Sequence, residues 1–233
     1  MMSQEVTVSI NSLNHFLGQK QLRRQILFNI NLEIKRREII ILTGPSGAGK
    51  TTLLTLIGGL RSVQSGSLKF LGQELRNISN KELVRIRRDI GYIFQTHNLL
   101  EFLTARQNVQ MSLEAFGNIP DADAKSKSEA ILEAVALGKY INHYPGQLSV
   151  GQKQRVAIAR AIVSHPKLIL ADEPTASLDS KTGRDVVEIM NRLAKEYGCS
   201  ILMVTHDNRI LDIADSQICM EDGQLEAIYK VNL

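Results

Sequence analysis

Gly44-Pro45-Ser46-Gly47-Ala48-Gly49-Lys50-Thr51 follows directly on the apolar run Ile39-Ile40-Ile41-Leu42. The spacing of its glycines, lysine and threonine is that of a phosphate-binding loop. Glycines let successive backbone N–H groups turn inward around an anion, and a helix opening near Gly49 aims its positive dipole end at the same point. In such a loop Gly44 to Gly49 cradle the phosphates and Lys50 reaches the outer ones. Thr51 sets its hydroxyl on magnesium, with Thr52 beside it. The surroundings agree: the preceding run is strand-like, and Thr51 to Leu60 continues as an apolar helix closed by Gly58 and Gly59. The ligand implied is a nucleoside triphosphate.

The chain has 233 residues, 43% hydrophobic and 22% charged, enough for one sizeable core with a small appended lobe. No apolar stretch approaches the roughly 18 to 20 residues that span a bilayer, and Met1 to Val8 lacks the apolar block of a signal peptide, so a cytosolic location is expected. Cys199 and Cys219 lie in apolar runs without metal-ligand spacing and read as reduced core thiols. The net charge of +4 gathers in Arg23-Arg24, Lys35-Arg36-Arg37 and Arg85 to Arg88. These clusters are short, without interleaved aromatics, and alternate with apolar positions as solvated faces do. No nucleic-acid partner is expected.

The first forty residues alternate at period two, Val6, Val8 and Ile10, then Phe28, Ile30, Leu32 and Ile34, as antiparallel strands with one buried face do. Ser67 to Leu71 and Ile90 to Phe94 read as further strands, and Ser79 with Glu82 as a capping box opening a short helix. From Gln95 to His165 the periodicity turns helical. Thr104 and Gln107 form a second capping box, Gly117 a stop, and Asp123 to Leu137 a long amphipathic stretch. The sheet resumes with Leu168 to Ala171 and Ser200 to Val204, separated by a helix from about Thr182 to Gly198. Ile218 to Glu221 and Leu225 to Tyr229 form a hairpin across Asp222-Gly223.

Two further segments carry chemistry. Leu168 to Ala171 ends in Asp172-Glu173-Pro174. Beside a phosphate loop, the first acid stands where a magnesium ligand is required and the second where it can orient or deprotonate attacking water. Ser149 and Gln152 form a capping box at the start of a helix from Val150 to Ser164, stopped by Pro166. A capped helix start with a hydroxyl and the small Gly151 is a second anion site.

Taken together, these segments resemble the nucleotide-binding subunit of ATP-binding-cassette transporters, over nearly the whole chain. The phosphate loop, a glutamine loop at Gln95, the signature Leu148 to Gln152 with Lys153-Gln154-Arg155, the acidic strand Leu168 to Glu173, Ala176-Ser177-Leu178-Asp179, and a switch histidine at His206 occur in that order. The resemblance implies an α/β fold: a P-loop NTPase core with an antiparallel β-subdomain (1–94 and 166–233) and an inserted α-helical subdomain (95–165). It implies one domain over 1–233, with ATP and magnesium as ligands.

It also implies roles. The family works as a head-to-tail dimer, so Ser149, Gly151 and Gln152 would contact phosphates bound by the partner's Lys50. Glu173 would act as general base, His206 would hold the terminal phosphate and attacking water, and Gln95 would meet magnesium and water between the lobes. Magnesium would rest on Thr51, Gln95 and Asp172, Asp179 would bridge the subunits, and Phe16 would stack on adenine in place of the usual tyrosine. Val150 stands where the signature usually has its first glycine; with Gly151 kept, phosphate approach is expected to survive.

Gln95-Thr96-His97-Asn98-Leu99-Leu100, then Leu103-Thr104-Ala105 and Asn108-Val109, are similar to the lipoprotein-releasing and macrolide-efflux branch, nearest to cyanobacterial heterocyst glycolipid exporters. That branch implies a location on the inner face of the cell membrane and a separate permease. A periplasmic adaptor and outer-membrane channel would be joined through the permease. A single-cassette ATPase of iron–sulfur cluster assembly is the alternative.

Overall fold

The computed structural model describes residues 5–114 and 119–230. In chain order the elements are β1 (Val6–Leu17), β2 (Arg24–Lys35), β3 (Ile39–Thr43), α1 (Lys50–Ile57), β4 (Ser65–Phe70), β5 (Gln73–Glu74), α2 (Asn80–Arg88) and β6 (Ile90–Ile93). Then follow α3 (Ala105–Glu114), α4 (Asp121–Ala134), α5 (Val150–Ile162), β7 (Leu168–Asp172), α6 (Ser180–Tyr197), β8 (Ser200–Val204), β9 (Ser216–Glu221) and β10 (Gln224–Lys230).

The strands make a four-stranded antiparallel sheet, order β2-β1-β4-β5, and a six-stranded sheet, order β10-β9-β3-β8-β7-β6. In the larger sheet β3 pairs in parallel with both β8 and β9, β7 with β8, and β6 with β7. Strands covered on both faces need apolar residues at every position. Ile39 to Leu42, Leu168 to Ala171 and Ile201 to Val204 supply them, and the pleat divides them cleanly. Ile39, Ile41, Ile169, Ala171, Ile201 and Met203 enter the core beneath α3 to α6. Ile40, Leu42, Leu168, Leu170, Leu202 and Val204 enter the core shared by α1 and the antiparallel sheet. Helices α3 and α4 pack on each other and on α5, forming the helical lobe.

Most expected elements stand within a few residues of their reading, and three differences have local causes. Phe28 was expected to be buried, but it is 38% exposed and Leu27 takes the core position. Leu13 pairs with Ile30 and His15 with Leu27, so β2 carries one extra residue there, at Asn29 with φ 49°, and the bulge reverses the alternation. The helix expected from about Thr182 begins at Ser180, because the Asp179 carboxylate accepts from the N–H groups of Lys181 and Thr182. The amphipathic stretch expected from Asp123 begins at Asp121, behind Pro120. The Gly117 stop lies outside the described residues. The terminal hairpin and the capping boxes at Ser79 and Ser149 are present, as are the reciprocal bonds between Thr104 and Gln107.

Candidate active site

The carboxyl ends of adjacent parallel strands in an open sheet gather the loops that follow them. Here the loops after β3, β7 and β8 bring Ser46 to Gly49, Glu173 to Leu178 and His206 to Arg209 around one cavity of about 850 Å³. Ser46, Gly47, Gly49, Lys50, Thr51, Thr52, Gln95, Asp172, Glu173 and His206 all line it.

The loop keeps its shape because only glycine fits its first position. Gly44 has φ 132°, and a Cβ there would lie 1.9 Å from the Met220 carbonyl oxygen on β9. Lys50, a residue only 6% exposed, donates from its ammonium to the carbonyls of Gly44 at 2.6 Å and Pro45 at 2.8 Å. Burial lowers its pKa, and Glu173 and Asp172 partly restore it. Ala48 is buried behind the loop.

Thr51 Oγ1 donates to Asp172 Oδ1 at 3.3 Å. Burial raises the Asp172 carboxyl pKa, against the Thr51 hydrogen bond and Lys50. A hydroxyl and a carboxylate so close, in one cavity with the Gln95 amide, are the hard oxygen donors magnesium takes. Among the described residues no group of three His, Cys, Asp or Glu side chains could hold a metal. Thr51 and Asp172 by themselves offer two oxygen donors, which fits a cation that takes its other ligands from elsewhere.

Glu173 sits at φ 50°, a left-handed conformation that costs of the order of 1–3 kcal/mol in a non-glycine residue. Its own N–H bonds to the Val204 carbonyl at 3.0 Å. Its Oε1 lies 3.2 Å from His206 Nε2, and its Oε2 accepts from the His206 N–H at 3.3 Å. Burial raises the Glu173 pKa, against His206 and Lys50. The acid is held in this conformation by the Val204 carbonyl on one side and by His206 on the other.

Several cavity residues were not singled out from the sequence. Thr175 Oγ1 donates to Asp207 Oδ2 at 3.3 Å, and Arg209 donates to both Asp207 oxygens, tying the segment after Glu173 to the one carrying His206. Arg24, from a pair read as a solvated cluster, lines the cavity with Leu17 and Ile26. The Asp207-x-Arg209 spacing was the available signal.

Other expected residues lie elsewhere. Phe16 does not line the cavity: its ring carries the Arg23 guanidinium 4.2 Å from the centroid, and Gln64 bonds its N–H and carbonyl. The register shift between His15 and Phe16 sets Leu17 there instead. Ser149, Gly151, Gln152 and Asp179 are also outside it. Ser149 accepts from Gln152 N–H while Gln152 Oε1 accepts from Ser149 N–H, and the capped helix start faces solvent. One chain thus presents a phosphate loop with its acids in one place and a separate, exposed capped helix start in another.

Residues 27–176 match the family model described as ABC transporter. The chain belongs to the ABC transporter family. The lipoprotein-releasing system ATP-binding protein LolD of Shewanella sp. strain MR-4 is 36% identical over 226 residues, 97% of each chain. The macrolide export ATP-binding/permease protein MacB of Marinobacter nauticus is 37% identical over 225 residues, 96% of this ABC chain but only 35% of that longer protein. Among solved structures, the dimeric post-hydrolysis state of the ATP-binding cassette MJ0796 bound to ADP and Pi has a TM-score of 0.89 at 36% identity. It covers 97% of this chain and 99% of that one. The fold is that of an ABC ATPase cassette, and no helix among the described residues is long and apolar enough to cross a membrane.

Proposed function

We propose that this cassette is the ATP-hydrolysing subunit of an exporter, powering release or extraction of a lipid-like or amphipathic substrate through a separate membrane permease. The observation that carries the hydrolytic part is the Glu173–His206 pair, set in one cavity with Lys50, Thr51 and Asp172.

On ATP binding, Lys50 exchanges the carbonyls of Gly44 and Pro45 for the outer phosphates, while the loop N–H groups take the remaining phosphate oxygens. Thr51, Asp172 and Gln95 would hold magnesium, which neutralises charge on the transferring phosphoryl group. Glu173 accepts a proton from water as that water attacks the terminal phosphorus and the bond to ADP breaks. Its raised pKa makes it a stronger base than an exposed carboxylate. His206 fixes the carboxylate and steadies water and phosphate, so the gain is mainly positioning and electrostatic.

The exposed start of α5 is the missing half of a composite site. Ser149 and Gly151 would meet the phosphates held by a second copy, with Asp179 between the subunits. Phe16 would reach the base only after Arg23 leaves its ring. The subdomain division at 95 and 166 gives the helical lobe freedom to turn about Gln95 and push the permease on the inner membrane face.

The exporter branch follows from likeness to LolD and MacB, named for lipoprotein release and macrolide export. The finer placement beside heterocyst glycolipid exporters, with a periplasmic adaptor and outer-membrane channel, rests on the segment after Gln95. Purification of the tagged chain from its native membrane tests this. An exporter permease should co-purify; recovery of only soluble iron–sulfur assembly factors would overturn the transport reading.

A further inference from the structure

Gln95 leaves β6 on an exposed turn, and a side chain from another element closes that turn. His97 and Asn98 both stand in the left-handed region, at φ 63° and 48°. Both carbonyls accept from one guanidinium: Arg160 Nη2 donates to His97 O at 2.6 Å and Nη1 to Asn98 O at 2.5 Å. Local bonds also shape the turn, from His97 N–H to Phe94 O and from Asn98 N–H to Thr96 O, with the Thr96 hydroxyl on Asn98 Oδ1. Local bonds alone leave such a turn free to tilt as a unit; the Arg160 fork ties it to α5.

That helix is itself anchored. A Cβ at Gly91 would lie 2.3 Å from the Ala161 carbonyl oxygen, so α5 and β6 meet backbone to backbone one residue beyond Arg160. The opposite end of α5 is the Ser149 cap. One rod therefore joins the surface anion site to the turn that carries Gln95.

We propose that Arg160 is a positioning residue for hydrolysis, holding the Gln95 turn in place and linking it to the helix whose start meets the partner's phosphates. This rests on the roles given above to Gln95 and Ser149. Lysine at this position keeps the charge but cannot span two carbonyls with a rigid fork.

The test uses the full chain carrying Arg160→Lys, Arg160→Ala, Gln95→Ala and the Arg160→Lys/Gln95→Ala pair. Two readouts are needed: amide hydrogen exchange without nucleotide, and kcat and KM for MgATP. Arg160→Lys should speed exchange at His97 and Asn98 at least tenfold while β6 and α5 stay protected. It should lower kcat about five- to tenfold with KM changed less than twofold. Added to Gln95→Ala, it should cause no further loss, because both act through one group. Unchanged exchange at residues 97 and 98, or losses that multiply in the double variant, would overturn the role of Arg160 alone. A normal kcat in Gln95→Ala would instead remove the role of Gln95 beneath it. If Arg160→Ala does not fold, Arg160→Lys decides the matter.

Discussion

Glu173→Gln should stop turnover and at the same time make the nucleotide-free chain more stable. The Glu173 side chain is 15% exposed, so its charge is largely stripped of water, whereas its partner His206 is 53% exposed and well screened. A screened pair returns about 0–1 kcal/mol, less than the several kcal/mol that burying a carboxylate costs. Glutamine keeps an oxygen for the His206 N–H and removes the charge. A net gain of about 1 kcal/mol is expected, or about 2–4 °C in Tm for a chain of this size. The sign depends on pH. A carboxyl with its folded pKa above the unfolded value contributes stability that is complete below the unfolded value, about 4.3, and lost as pH rises through the folded value. The advantage of glutamine should be full near pH 8 and shrink as pH falls through the folded value, being nearly gone by about pH 4. Thermal unfolding at both pH values, with phosphate release on the same samples, measures both effects. A variant that melts below wild type at pH 8, or by the same difference at both pH values, would refute the desolvation argument.

Three other outcomes follow from the same geometry. His206→Ala removes a neighbour that lowers the Glu173 pKa, so the acid limb of the kcat–pH profile should move to higher pH, with kcat down about a hundredfold or more; an unmoved limb would separate the two residues. Asn108 is fully buried, accepts from Leu100 N–H and donates to the carbonyls of Leu100, Leu103 and Thr104, so Asn108→Ala should cost about 2–4 kcal/mol in denaturant titration. Val150 is 45% exposed beside an intact capping box, so Val150→Gly should change ATPase activity less than tenfold; a larger change would make this departure from the usual signature a control point.

The phosphate loop, the acidic strand and the parallel core strands are legible in the sequence because each is encoded by neighbours a few residues apart. What escapes reading depends on register or on distant convergence. No alternation rule shows that Asn29 takes φ 49° and turns Phe28 outward, since that bulge is set by the opposite strand. Arg24 and Arg209 look like ordinary surface charges until β2 and the turn after β8 meet across the cavity. Arg160 looks like one more polar position on a helix, yet its partners lie about sixty residues away. Phe16 was placed by family likeness alone, and its resting ring is covered by Arg23, a contact between side chains seven residues apart across the β1–β2 connection.

The central claim is that the site at Lys50 is completed by Ser149 and Gly151 of a second copy. Light scattering on the Glu173→Gln chain, with and without Ser149→Arg and with MgATP present, tests it most directly. Glu173→Gln should reach twice the 26.0 kDa chain mass only when ATP is bound. The double variant should bind ATP equally well and stay at one chain mass. A double variant that still dimerises, or a Glu173→Gln chain that hydrolyses ATP at the wild-type rate, would contradict the account.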